Sequence, residues 1–296
     1  MTASTITGVI PILITPFDSQ GRIDVDSLQN LIDFNINSGV HGIGIANGSE
    51  IFKLNESERK LVTKIVVDHV AGRVPVIINT GAHGTALAIQ YSKLAQEQGA
   101  DGLMIIPPHF FPVGTKQVSD YYEAIDSEIT IPIFLQDIPQ SPIPPSLALE
   151  LAKKSQNISY IKVETSPIAT KVFQMVDATK DVLTIFGGAG GSYFIEEMRR
   201  GAKGTMPFCS QPKEFVEVWN LFQKGDEEEA INIFNKFIVP MSRLEIQTND
   251  LCYHLHKQFL VKLGVIKTSH VRGPTMLPDP ISQSEIDEMI ELMSNK

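Results

Sequence analysis

The feature that most constrains the fold is a repeated alternation of strand-like and helix-like segments. Eight short apolar runs are each followed by an amphipathic segment, at intervals of roughly 22 to 34 residues. The runs cover residues 8–15, 41–46, 75–79, 102–106, 132–136, 160–164, 182–186 and 204–208. This pattern is typical of parallel strands covered by helices, and eight units fit a closed TIM (β/α)8 barrel. The alternative is a doubly wound sheet, but the turn after the first run, PFDSQG, is not the Gly-rich phosphate loop of such sheets.

Three further helix-like segments follow the eight units, at 230–237, 253–263 and 283–293. We therefore predict a catalytic barrel domain over residues 1–225 and a helical extension over residues 226–296 that packs on it. Two helix starts are also predicted. Asp24 is suited to cap the first helix, and Asn55 with Glu58 has the spacing of a capping box for the second.

Composition narrows the class of protein. The formal net charge is −9, and no basic cluster is present, which argues against nucleic acid as a partner. No apolar run is long enough to cross a bilayer, and the first residues lack a signal-peptide pattern. Cys209 and Cys252 have no metal-ligand or disulfide spacing, and the seven histidines are scattered. We expect a cytoplasmic protein with no membrane partner and no metal.

Lys162 is the first candidate for chemistry. It is a single lysine in the apolar run ISYIKVE, and strand alternation places Tyr160, Lys162 and Glu164 on one face. Lysine is almost never buried without a partner or a task, and desolvation favours the neutral amine that forms Schiff bases with ketones. The alternative is an edge-strand lysine that reaches solvent.

Other candidates follow the predicted strands, because TIM-barrel active sites lie at the carboxyl ends of the strands. Glu164 is either a salt-bridge partner that keeps Lys162 charged or the group that moves protons in Schiff-base chemistry. Gln136 can hydrogen-bond a substrate but cannot titrate. Gly188, in the run FGGAGG, either permits close approach of a substrate or makes a tight connection. His109 is expected to line the mouth of the barrel, and the alternative is that it acts as a catalytic base.

The loop after the second run, Asn47-Gly48-Ser49, offers backbone N–H groups and a hydroxyl. Such donors suit a substrate carboxylate, although Asn, Gly and Ser are also ordinary turn residues.

Taken together, these segments resemble the dihydrodipicolinate synthase / N-acetylneuraminate lyase family of class I aldolases and dehydratases, over roughly residues 6–295. The resemblance is carried by the order of GVIPILITPF, LNESER, GADGLMIIPP, YIKVE and GAKGTMPF along the chain. It implies a TIM barrel, usually a homotetramer, in which Lys162 forms a Schiff base with a 2-keto acid. It further implies that Gly48, Ser49 and Glu50 belong to a carboxylate-binding loop and that the backbone of Met206 lines the pyruvyl pocket.

Several positions depart from the pattern of the dihydrodipicolinate-forming members. Their Tyr-Asn-x-Pro motif reads Gln136-Asp137-Ile138-Pro139 here, and an expected aromatic hydroxyl is replaced by Phe110 or Phe111. A phenylalanine or a glutamine cannot relay a proton, so the family's tyrosine relay is missing. The variant motifs are more similar to the L-2-keto-3-deoxyarabonate dehydratase branch.

The leading hypothesis is a lyase that dehydrates a 2-keto-3-deoxy sugar acid. Lys162 is the nucleophile and Glu164 the base. Asn47, Gly48, Ser49, Glu50 and Met206 hold the carboxylate end, while Gln136, His109, Phe110 and Gly188 surround the rest. No cofactor is needed, because the iminium is the electron sink. The alternatives are a pyruvate-releasing aldolase of the same family and a non-catalytic keto-acid-binding barrel.

Overall fold

A computed structural model describes residues 5–111, 113–180, 182–248 and 250–294. The described part leaves out residues 1–4, 112, 181, 249, 295 and 296. The start of the predicted barrel domain and the end of the predicted helical extension therefore lie outside it, as does one position of the loop after the fourth strand. Eight parallel strands pair in the order β1-β8-β7-β6-β5-β4-β3-β2. They are β1 (Gly8–Val9), β2 (Ile43–Ile45), β3 (Val76–Asn79), β4 (Gly102–Ile105), β5 (Ile133–Asp137), β6 (Ile158–Val163), β7 (Thr184–Gly187) and β8 (Gly204–Thr205).

The sheet closes on itself, which confirms the predicted TIM barrel. Just beyond β1, Ile12 forms parallel bridges to Gly44 of β2 on one side and to Phe208 on the other. The first and last strands are shorter than predicted. Pro11 and Pro207 have no N–H to donate, so regular pairing ends before each of them and continues only as these isolated bridges.

A helix follows each strand. The eight are α1 (Val25–Asn37), α2 (Glu56–Val70), α3 (Thr85–Glu97), α4 (Thr115–Asp126), α5 (Pro145–Lys154), α6 (Ile168–Thr179), α7 (Phe194–Arg199) and α8 (Pro212–Lys224). Both predicted helix starts are confirmed. The Asp24 side chain accepts a hydrogen bond from the Ser27 N–H, and Asn55 and Glu58 form the reciprocal capping box.

The last part of the chain forms α9 (Glu227–Ile233), α10 (Val239–Glu245), α11 (Leu251–Lys262) and α12 (Pro280–Ser294). The first two are joined by a π-helical turn, Phe234–Ile238, so the segment predicted at 230–237 is part of a longer helical run. Residues of α10, α11 and α12 share a hydrophobic cluster that includes Leu244, Leu255 and Ile290. The division of the chain at residue 225 stays a prediction.

Two apolar layers hold the barrel together. The larger fills the space between the strands and the surrounding helices, as amphipathic helices over a parallel sheet require. The smaller fills the barrel interior and includes Phe134, Tyr160, Phe186 and Met206. Phe134 and Tyr160 stack with ring centroids 4.1 Å apart. These rings close the interior, so polar chemistry is confined to the strand ends. Within the described residues, no helix is long and apolar enough to cross a membrane.

Candidate active site

A cavity of about 430 Å³ opens at the carboxyl-terminal end of the barrel. Six of the residues predicted from the sequence line it: Asn47, Gly48, Gln136, Lys162, Glu164 and Met206. They come from the ends of β2, β5, β6 and β8, which are far apart in sequence. The barrel brings them together because all its parallel strands end at the same face.

Lys162 points into this cavity from an interior strand. Its neighbours in the sheet are Gln136 of β5 and Phe186 of β7, and only 5% of its surface is exposed. The edge-strand alternative is therefore wrong, since β6 is paired on both sides. A buried lysine at this end of the barrel requires a partner.

That partner is Glu164, the first residue after β6. Its Oε1 lies 3.0 Å from Lys162 Nζ and also accepts a hydrogen bond from the Ala189 N–H at 3.2 Å. Its Oε2 accepts from Gln136 Nε2 at 2.8 Å. The carboxylate is thus fixed between a cation and two neutral donors. This arrangement accommodates both predicted roles of Glu164, because an ion-pair partner 3.0 Å away is also within proton-transfer reach.

Gly188 does not line the cavity but makes room for Glu164. A Cβ at this position would overlap Glu164 Cγ, so only glycine permits the observed carboxylate position. The neighbouring Ala189 and Gly190 reach the cavity instead. The run FGGAGG therefore serves the site through its backbone.

Asp137 is a supporting residue that was not among the predicted site residues. It is fully buried at the end of β5, and its Oδ1 accepts from the Ile143 N–H at 2.7 Å and from Lys171 Nζ at 2.6 Å. Its Oδ2 accepts from the Thr165 N–H at 3.1 Å. These bonds anchor the loop that carries Glu164. The Gln-Asp-x-Pro motif was the available signal.

Ser49 and Glu50 lie behind the cavity and support the loop that lines it. The Ser49 hydroxyl accepts a hydrogen bond from the Ala46 N–H at 3.1 Å, and both side chains are fully buried. Glu50 adopts a left-handed backbone conformation, with φ 55°, and pairs with Lys53 and Lys257. A substrate in this cavity would meet Asn47 and Gly48 rather than these two side chains.

His109 and Phe110 lie apart from Lys162. His109 lines an adjoining cavity of about 540 Å³, together with Arg59 and His83, and Asn47 borders both cavities. The rings of His109 and His83 meet edge to face, 4.5 Å apart. Phe110 is 70% exposed. Neither residue contacts the Lys162–Glu164 pair.

Glu197, on α7, is a buried acid that looked ordinary in the sequence. It is fully buried and packs against Gly187. Burial, reinforced by the negative charges of Glu196 and Glu164, raises its pKa to about 8. The described residues contain no group of three or more His, Cys, Asp or Glu side chains placed to hold a metal ion.

A TIM barrel with a buried lysine at its carboxyl-terminal cavity is the arrangement that a class I lyase or aldolase requires, since its lysine forms a Schiff base with the substrate. Comparison with known proteins gives the family. Residues 5–295 match the Dihydrodipicolinate synthetase family, and the chain belongs to it. The protein is therefore an enzyme of the class I lyase and aldolase type.

Individual relatives divide between two activities. The chain is 28% identical over 287 residues to L-2-keto-3-deoxyarabonate dehydratase of Azospirillum brasilense, covering 94% of this chain and 92% of the relative. It is 32% identical over 250 residues to 4-hydroxy-tetrahydrodipicolinate synthase of Methanocaldococcus jannaschii, covering 82% and 85%. The crystal structure of dihydrodipicolinate synthase from Rhodopseudomonas palustris superposes with a TM-score of 0.89 at 27% identity, covering 97% of each chain.

Proposed function

We propose that the protein forms a Schiff base between Lys162 and a 2-keto acid and dehydrates a 2-keto-3-deoxy sugar acid of the L-2-keto-3-deoxyarabonate type. The observation that carries the proposal is the 3.0 Å contact between Lys162 Nζ and Glu164 Oε1 inside the barrel-end cavity. The contact pairs a nucleophile with a proton acceptor, as covalent amine catalysis requires.

The first half of the reaction is Schiff-base formation. Lys162 transfers a proton to Glu164, and the neutral amine adds to the keto carbon of the substrate. Glu164 returns this proton to the former keto oxygen, which leaves as water, so that an iminium ion forms and Glu164 is again a carboxylate. The iminium withdraws electrons from the adjacent carbon 3 and acidifies its protons.

The second half is dehydration. The Glu164 carboxylate removes a proton from carbon 3, which gives an enamine. The enamine electrons then expel the hydroxyl of carbon 4, which leaves as water with the proton that Glu164 returns. Hydrolysis of the new iminium releases the dehydrated keto acid and regenerates Lys162. The net change is the loss of one water molecule from the substrate.

The lining of the cavity supports this chemistry. Of the described residues that line the cavity, Lys162 and Glu164 have ionisable side chains, and none is a tyrosine. Asn47, Gln136 and Gln140 supply amide groups, which suit the hydroxyls of a sugar acid better than a second carboxylate. The resemblance to the Azospirillum dehydratase points the same way.

Two alternatives remain distinct in their products. The synthase relatives favour an aldolase, which would use Lys162 but make or break a carbon–carbon bond with pyruvate as a partner. A non-catalytic binding barrel would give no product from any keto acid.

Borohydride trapping followed by intact mass tests the proposal, with pyruvate and L-2-keto-3-deoxyarabonate in parallel. We expect a mass increase with both compounds, mapped to Lys162, and a dehydrated product from the second when borohydride is omitted. Glu164→Gln should form the adduct more slowly, because the amide cannot accept the Lys162 proton, and should lose dehydration by at least a hundredfold, because it cannot accept the carbon 3 proton. Release of pyruvate would favour the aldolase. No adduct in a folded protein would favour the binding barrel.

We also propose that the enzyme acts in the cytoplasm as a homo-oligomer, either a dimer or a tetramer. Exposed Phe110 and Phe111, which are 70% and 73% accessible, support a subunit contact beside the mouth of the barrel. Light scattering of the purified chain distinguishes these sizes from a monomer.

A further inference from the structure

One side of α11 contacts two loops that surround the cavity. Tyr253, His256 and Lys257 are spaced three and four residues apart and therefore share a helix face. The Tyr253 hydroxyl donates to the Asn47 carbonyl at 3.2 Å, and Lys257 pairs with Glu50 in the same loop. His256 contacts the loop after β8 at Ser210. Part of the C-terminal helical region thus packs against the loops that surround the site.

His256 is the centre of a buried hydrogen-bond chain. Its Nδ1 lies 2.7 Å from Ser210 Oγ, and its Nε2 lies 2.8 Å from Glu245 Oε2. Only 3% of the histidine is exposed. A histidine ring can donate or accept at either nitrogen, and here each nitrogen faces one oxygen partner. Both nitrogens are thereby engaged, which fixes the orientation of the ring.

This hydrogen-bond chain contacts two different parts of the cavity wall. The His256 ring stacks on Phe208, with centroids 4.4 Å apart and planes inclined by 30°, and Phe208 lines the cavity. At the other end, the Glu245 carboxylate occupies the space that a Cβ of Gly190 would need, and Gly190 also lines the cavity. His256 therefore couples two wall segments that belong to different loops.

These wall segments lie nearer the mouth than Lys162 does. Val163 pairs with Gly187, and Gly187 pairs with Thr205, which places Phe208 three residues further along the strand direction. Strands of a TIM barrel run toward the mouth at this end. Phe208 also packs against Gly48 of the carboxylate loop, whereas the Gly190 segment adjoins Glu164, which accepts a hydrogen bond from the Ala189 N–H. A keto acid longer than pyruvate therefore has more of its length against the Gly190 segment.

We propose that His256 is a positioning residue that sets the shape of the outer cavity wall for the hydroxylated end of the sugar acid. It holds Phe208 by stacking and the Gly190 segment through Glu245, and it does not touch the reacting carbons. This role rests on the proposed function, since it assumes a substrate longer than pyruvate bound at Lys162.

The test compares a short and a long keto acid in the intact enzyme. His256→Leu removes both hydrogen bonds at similar volume. We expect the concentration of L-2-keto-3-deoxyarabonate that gives half-maximal borohydride trapping to rise at least tenfold, and KM for its dehydration to rise in parallel. The corresponding concentration of pyruvate should change less than twofold. His256→Gln, which can retain the bond to Glu245, should lie between the wild type and His256→Leu.

Two further variants make the result interpretable. Gln258→Leu, on the same helix but bonded to Gln283 of α12, should leave both keto acids unaffected. If His256→Leu fails to fold, Ser210→Ala provides a second test, because it removes one end of the hydrogen-bond chain. It should raise the L-2-keto-3-deoxyarabonate concentration for half-maximal trapping about threefold.

Equal changes for both keto acids, or no change for either, would overturn the role of His256 alone. A wild-type protein that traps neither keto acid would instead overturn the proposed function, and the role of His256 with it.

Discussion

Replacing Glu197 by glutamine should make the enzyme more stable at alkaline pH. The carboxyl group is fully buried against Gly187. Burial, with the nearby charges of Glu196 and Glu164, raises its pKa from 4.5 to about 8. Glutamine has the same shape and cannot ionise, so the substitution removes the titration while keeping the packing.

The sign of the effect follows from proton linkage. Between pH 4.5 and about 8 the native state holds a proton on Glu197 that the unfolded chain has released. Each pH unit in this window therefore costs the native state about 1.4 kcal/mol. The cost is absent below the window, grows through it, and levels off above pH 8 at a value on the order of 5 kcal/mol.

Thermal unfolding at pH 5, 6.5 and 8 measures this effect. For a chain of this length, about 4 kcal/mol between pH 5 and pH 8 corresponds to roughly 6 °C. We expect the melting temperature of Glu197→Gln relative to wild type to increase by that amount across the range. Glu228→Gln, an exposed acid on α9, should track the wild type at every pH. Parallel curves for Glu197→Gln and wild type would refute the assignment of a neutral buried acid.

Three other substitutions test the site and its support. Lys162→Ala should abolish turnover and borohydride trapping while the melting temperature stays within a few degrees; residual turnover would contradict the Schiff base. Gly188→Ala should lower kcat at least tenfold with adduct formation retained, because its Cβ displaces Glu164, whereas Gly84→Ala, which meets open space, should match the wild type. Asp137→Asn should lower stability by about 3 kcal/mol, seen as a fall in melting temperature, since it leaves Lys171 buried without its charge partner; an unchanged melting temperature would show that the pair contributes little.

Much of the fold could be predicted from local sequence. Eight apolar runs with helical segments between them give a parallel barrel, because each signal depends on residues close together along the chain. The capping box at Asn55 and Glu58 was readable for the same reason. The lengths of β1 and β8 could not be predicted in this way, since proline removes the regular pairing without removing the apolar pattern.

Part of the lining of the candidate site could be predicted. Lys162, Glu164 and Gln136 line one cavity because each lies at or just after the end of a strand, and strand ends meet at one face of a barrel. His109 also follows a strand, yet it lies in the adjoining cavity, because loop geometry decides where a loop side chain points.

The sequence by itself determined the alternation of strands and helices, the lysine and its acidic neighbour, since periodicity and strand alternation are local properties. Only the tertiary structure decided which groups support them. His256 is 46 residues from its hydrogen-bond partner Ser210. Glu197 is an ordinary helical acid in the sequence, and only the packing of α7 against Gly187 buries it. Burial and long-range contacts depend on how distant elements pack, and that packing changes the chemistry of a residue without changing its place in the sequence.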